Sequence, residues 1–175
     1  MKALYISAII ILISVTSCKK DNIANESEFN KSYKTWLSFK STAHNTYLYT
    51  TSFRSVFGYG AEVKTGVING KVTWRDFIST QLKRNGTSQI DTIKQWHEDA
   101  SHINTHPNDV GESLTLDDVY QKAKTVWLKA DKKSNDIYFE TKNSGMISSC
   151  GFVPNGCQDD CFNGITISLI TSVQF

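Results

Sequence analysis

Val63-Lys64-Thr65-Gly66-Val67-Ile68-Asn69-Gly70-Lys71-Val72-Thr73-Trp74 is the stretch that decides the fold. Two β-prone runs flank Asn69-Gly70, which supplies the pair of positive φ angles that a two-residue type I′ turn requires. The pattern predicts a β-hairpin. In the tightest register Val67 faces Val72 and Thr65 faces Trp74, so Val63, Thr65, Val67, Val72 and Trp74 share one sheet face.

Outward from the hairpin, the pattern alternates between helix and strand. Glu28 to Ala43 has the periodicity of a helix, with Phe29, Tyr33, Trp36, Leu37 and Lys40 on one stripe and Ser27 as N-cap. Thr46 to Arg54 is rich in β-branched and aromatic residues and predicts a strand. Asn85 to Ser113 is polar and punctuated by Gly86, Pro107 and Gly111, which predicts a long excursion with a helical turn near Ile93 to Trp96. Thr115 then caps a second helix with Asp117 and Asp118 in its first turn. Its apolar stripe is Leu116, Val119, Tyr120, Ala123, Val126 and Trp127. The tail predicts strands at Ile137 to Thr141, Met146 to Val153 and Gly164 to Phe175, with a turn at Asn143-Ser144-Gly145. Helix, strands, loop, helix, strands suits an α+β fold: an antiparallel sheet with two helices packed on one face.

The 175 residues suit one domain, residues 28–175, behind an N-terminal address. Met1-Lys2, the apolar run Ala3 to Val15 and Thr16-Ser17-Cys18 form a secretory signal over residues 1–17. A helix of that run spans about 20 Å, short of the roughly 30 Å bilayer core. Val15-Thr16-Ser17-Cys18 resembles the lipobox of bacterial lipoprotein precursors. That resemblance implies acylation of Cys18, cleavage before it and anchoring through two or three acyl chains, palmitate among them. Residues 18–27 then form the lipidated Cys18 and a polar tether. Lys19-Lys20-Asp21 is similar to the surface-export signals of Bacteroidetes-type lipoproteins. The expected location is the cell envelope, lipid-anchored at the outer membrane and open to surface exposure.

Removing the signal leaves 18 basic against 17 acidic side chains. That balance argues against nucleic acid as a partner, because neutralising phosphates takes a basic face.

The remaining chemistry is sparse. Cys150, Cys157 and Cys161 lie within 12 residues of one another, in a compartment that permits disulfides. One bridge and one free thiol is the simplest count, and Cys150 to Cys157 or Cys161 would tie two β segments. With Asp159 and Asp160 the same segment offers metal ligands, but without C-x2-C spacing. His97, His102 and His106 fall in the long loop, without an H-E-x-x-H pattern, and read first as exposed loop histidines. The pairs Asp117-Asp118 and Asp159-Asp160 could hold a cation or serve acid–base chemistry. No G-x-S-x-G, S-x-x-K, Walker or G-x-G-x-x-G motif is present, so no cofactor and no catalytic residue is expected.

Val67-Ile68-Asn69-Gly70-Lys71-Val72, Leu114 to Tyr120 and Ile137 to Glu140 occur in an order that resembles a family of small bacterial exported proteins and lipoproteins of unknown function. The family's hairpin ending in Gly-Tyr-Pro is represented by Gly145-Met146-Ile147. The resemblance implies a compact α+β domain and carries over no catalytic residue. The expected function is a membrane-anchored, non-enzymatic module that binds an envelope protein or ligand. The alternatives are a metal-dependent protein or enzyme using the His97–His106 loop or the Cys150–Cys161 segment, and an inhibitor-like domain.

Overall fold

A computed structural model describes residues 23–83 and 89–173. The signal segment and Cys18 lie outside the described residues. Residues 23–27 of the expected tether belong to the folded domain. Ile23 and Ala24 are already buried, and the Ala24 N–H donates to the Leu128 carbonyl at 2.8 Å.

The first helix, α1, runs Glu26–Thr42. Its N-cap is Asn25 in the left-handed region, not Ser27. Phe29, Ser32 and Trp36 form its buried face, while Tyr33 and Leu37 of the expected stripe remain partly exposed. The stripe is rotated because Ser32 pairs with the Tyr120 hydroxyl at 2.8 Å, so a small polar residue occupies the centre of the contact.

Seven strands follow in one antiparallel sheet: β1 (Tyr47–Arg54), β2 (Tyr59–Ile68), β3 (Lys71–Leu82), β4 (Ile90–Glu98), β5 (Asn135–Glu140), β6 (Ser149–Pro154) and β7 (Asn163–Ser172). Their spatial order is β4-β3-β2-β1-β7-β6-β5. A short helix, α2 (Pro107–Val110), and a longer one, α3 (Leu116–Thr125), lie between β4 and β5. The expected α+β architecture is present.

The Asn69-Gly70 turn forms as the sequence dictates, with φ of 49° and 77°. Val67 does face Val72, but a bulge follows. Trp74 opposes Gly66, and Thr65 opposes Arg75. One extra residue in a strand sends the following side chains to the other face. Trp74 therefore leaves the core face, and Arg75, Phe77 and Ser79 take it, all buried.

The polar excursion is not all loop. Where a helical turn was expected, Ile93 to Trp96 belong to β4, which pairs with β3 from Ile90 to Glu98 with a bulge at Ile93. Half-exposed edge strands carry little apolar alternation, so the period-two signal was absent.

α3 is capped by Thr115, whose hydroxyl accepts from the Asp118 N–H while the Asp118 carboxylate accepts from the Thr115 N–H. Leu116, Val119, Tyr120 and Ala123 are buried. The helix stops before the expected Val126 and Trp127; Val126 is exposed, and a 3-10 turn at Trp127–Lys129 buries Leu128 instead. α1 and α3 meet over Tyr47, Tyr49, Val67 and Ile167 in a single apolar cluster on one sheet face. Trp36 stands edge-on to Tyr47 at 5.1 Å and stacks near Tyr120 at 6.2 Å.

Candidate functional site

Helices α1 and α3 cover only part of the core face. Beside them, on β2 and β3 and under the segment from Asp99 to Leu114, the face is polar and tightly organised. Arg75 and Glu98 are direct ladder partners on β3 and β4, and both side chains are essentially inaccessible, at 2% and 0%. The Arg75 Nε donates to Glu98 Oε2 at 2.8 Å, and Nη2 lies 2.7 Å from the same oxygen. Two charges withdrawn from water are tolerated only with good geometry and further hydrogen bonds.

Those further bonds come from the excursion. Glu98 Oε2 accepts the Asn104 N–H at 3.1 Å. Its Oε1 accepts the N–H groups of Thr105 and His106 at 2.9 and 3.0 Å and the Thr105 hydroxyl at 3.1 Å. Arg75 Nη1 donates to the Gly111 carbonyl at 3.1 Å. One glutamate and one arginine thus latch the 104–111 segment to the sheet. Burial pushes the Glu98 carboxyl up, but Arg75, His106 and the backbone donors outweigh it and bring it down to about 2.

A stack completes the latch. The Trp96 ring lies between Phe77, at 5.1 Å, and the His106 imidazole, at 4.4 Å and nearly parallel. Its Nε1 donates to Asp109 at 2.9 Å, and Lys94 pairs with the same carboxylate at 2.7 Å. β1 fastens the far end. The Tyr49 hydroxyl donates to the Leu114 carbonyl at 2.5 Å, and the Tyr47 hydroxyl accepts the Leu116 N–H at 2.9 Å. Burial lifts the Tyr49 phenol to about 12, so it stays a donor at any physiological pH.

The latched segment is one wall of an open cleft of about 1060 Å³. Tyr49, Thr51, Val63, Thr65 and Ile165 make the floor. Gly111 to Leu114 form one wall, Cys157 to Phe162 the other, and Trp127 closes the helix side. The exposed lining is more apolar than polar. Arg54, Glu112, Lys122, Asp159 and Asp160 also line it.

The second wall corrects the expected disulfide. Cys157 and Cys161 are bridged, with Cα atoms 6.3 Å apart, and Cys150 is free. Cys150 opposes Phe139 in the ladder of β5 and β6 and is fully buried on the core side. Pairing it would pull it out of the core and into the loop. Burial instead pushes its thiol up to about 12.

The histidines are dispersed. His97 projects from β4 to the outer face, 2.7 Å from Asp76. His102 meets Asp99 at 2.9 Å, and His106 meets Glu98 at 3.1 Å. Each thus has a different acidic partner, and among the described residues no three His, Cys, Asp or Glu groups converge as a metal site would require. Asp117 is engaged by Trp36 Nε1 at 3.0 Å and Lys40 at 2.6 Å. Asp159 and Asp160 stand at the cleft rim.

Arg75 and Glu98, which organise the site, escaped the sequence reading. The available signal was a basic residue two positions before Phe77 in a β-prone run, but the unbulged register turns Arg75 outward. No family model, no curated protein and no solved structure matches the chain.

Proposed function

We propose that the protein is a lipid-anchored, non-enzymatic binding module of the cell envelope that holds a small, largely apolar ligand in the cleft between the latched segment and the disulfide loop. The observation that carries this reading is the division of labour in the cleft. Among its charged side chains Arg75 and Asp109 are spent on fixing a wall, and its floor is aromatic, aliphatic and hydroxyl-bearing. A wall fixed in advance lowers the entropic cost of binding.

The anchor rests on separate ground: the lipobox-like Val15-Thr16-Ser17-Cys18 behind an apolar run. The outer membrane, with export to the surface, is the location we assign on the strength of Lys19-Lys20-Asp21. The resemblance to small exported lipoproteins points the same way. A metal-dependent enzyme is the weaker reading, because each histidine sits against its own carboxylate. An inhibitor-like domain would use the same loops on a partner's surface and differs in the size of what is captured.

The chain from Lys19 to Phe175 is incubated with an organic extract of envelopes and examined by native mass spectrometry. A mass increment of small-molecule size that disappears in Val63→Trp, which fills the floor, is the expected result. No increment, or one that persists in that variant, would overturn the cleft as the binding site.

A further inference from the structure

Several large apolar side chains are left exposed at one end of the sheet. Antiparallel registry places them together. Arg54 opposes Gly60 and Gln81 opposes Tyr59, so the β1–β2 turn lies beside the end of β3. The Leu82 N–H donates to the Gly58 carbonyl at 2.9 Å, and Leu82 opposes Ile90. Phe53, Val56, Phe57, Leu82 and Ile90 therefore gather at this end, with exposures of 46%, 79%, 58%, 39% and 62%. Single exposed apolar residues are ordinary, but a cluster of this kind marks a contact surface.

The anchored segment leaves the fold beside the cleft that this end borders. Ala24 is hydrogen-bonded to Leu128, and the adjacent Trp127 lines the cleft that Phe53 and Val56 also line. From Cys18 to Ile23 the chain spans no more than about 18 Å even when fully extended. A lipid on Cys18 thus holds this end of the domain close to the bilayer.

We infer that the Phe53–Val56–Phe57–Leu82–Ile90 end is a membrane-docking surface, which inserts into the interfacial region of the bilayer that holds the Cys18 acyl chains. The inference rests on the anchor reading. Apolar burial drives it, not charge. Arg54 is paired with Glu62 and Lys83 with Asp91, while Asp159 and Asp160 rim the adjacent cleft. Zwitterionic lipid is therefore sufficient.

The test couples the chain from Cys18 to Phe175 through Cys18 to a maleimide lipid in phosphatidylcholine vesicles. Cys150 is buried and Cys157 and Cys161 are bridged, so the coupling is directed to Cys18. Hydrogen exchange is compared with the same chain capped by N-ethylmaleimide. The expected result is several-fold slower exchange in peptides covering 53–59 and the segments at Leu82 and Ile90, with β5 unchanged. Val56→Asp combined with Phe57→Asp abolishes the slowing while the exchange of α1 and α3 stays as in the parent, which controls for folding. Unchanged exchange at this end, or slowing centred elsewhere, overturns the inference. Slowing in the capped chain that grows with protein concentration assigns the surface to a second copy and overturns it equally. The anchor is read separately, from the intact mass of the protein isolated from cells. An unacylated Cys18 would sink the anchor, while the vesicle result, where coupling supplies the anchor, still judges the surface.

Discussion

Glu98 carries an unusual load for one side chain: an arginine, three backbone N–H groups, a hydroxyl and an imidazole converge on two oxygens. Glu98→Gln keeps the shape and removes the charge, leaving Arg75 buried with no counter-ion. Breaking a buried pair from one side costs about 3–5 kcal/mol, so the urea midpoint at pH 7 falls accordingly. The pH dependence follows from the direction of the shift. The Glu98 carboxyl sits at about 2 in the folded protein against an ordinary 4.5, so its contribution is complete above 4.5 and is lost as the pH falls towards 2. Other carboxylates titrate in the same range, and the informative quantity is the stability gap between parent and variant. That gap narrows through this window; a gap independent of pH would show that the charge of Glu98 does not hold the latch.

At the scale of elements, Gly66 explains why the hairpin departs from its simplest register. A Cβ there would lie 2.1 Å from the Trp74 indole, so the bulge is matched to a glycine over which the ring lies. Gly66→Ala forces the indole or the strand to move and costs about 1–3 kcal/mol. In a Trp74→Ala background most of that cost disappears, and a double-mutant cycle on thermal unfolding measures the coupling. An unchanged cost in that background would mean that strand entropy, not the ring, sets the preference. The same bulge marks how far the sequence could be read. The turn, the strands flanking it, α1, the capped start of α3 and the tail strands announce themselves through local chemistry: paired φ-permissive residues, a capping box, a helical period. β4 does not, because both of its faces are largely exposed and a bulge at Ile93 breaks its period. The site was illegible for a related reason. Arg75 and Glu98 lie 23 positions apart in sequence and meet only through a ladder whose phase the bulge resets.

Across the whole molecule, the first described residues, Ile23 and Ala24, are already core, and their weight in the fold can be tested without reference to function. Ile23 and Ala24 belong to the same apolar cluster as Phe29, Trp36 and Leu128, and the Ala24 N–H closes on the Leu128 carbonyl. Ile23 and Ala24 are therefore part of the fold. A chain beginning at Ile23 should unfold at the same urea concentration as one beginning at Lys19. A chain beginning at Asn25 loses a buried isoleucine, a buried alanine and one hydrogen bond, together about 2–4 kcal/mol. The loss falls on the 3-10 turn at Trp127–Lys129, because the Ala24 N–H closes on the Leu128 carbonyl there. Trp127 is also the helix-side wall of the cleft, so the shorter chain should show faster exchange at residues 126–130 before any global change. Equal stability of the two truncations would place the domain boundary later. A loss localised at that turn would instead make the first residues of the fold the same residues that support one wall of the site.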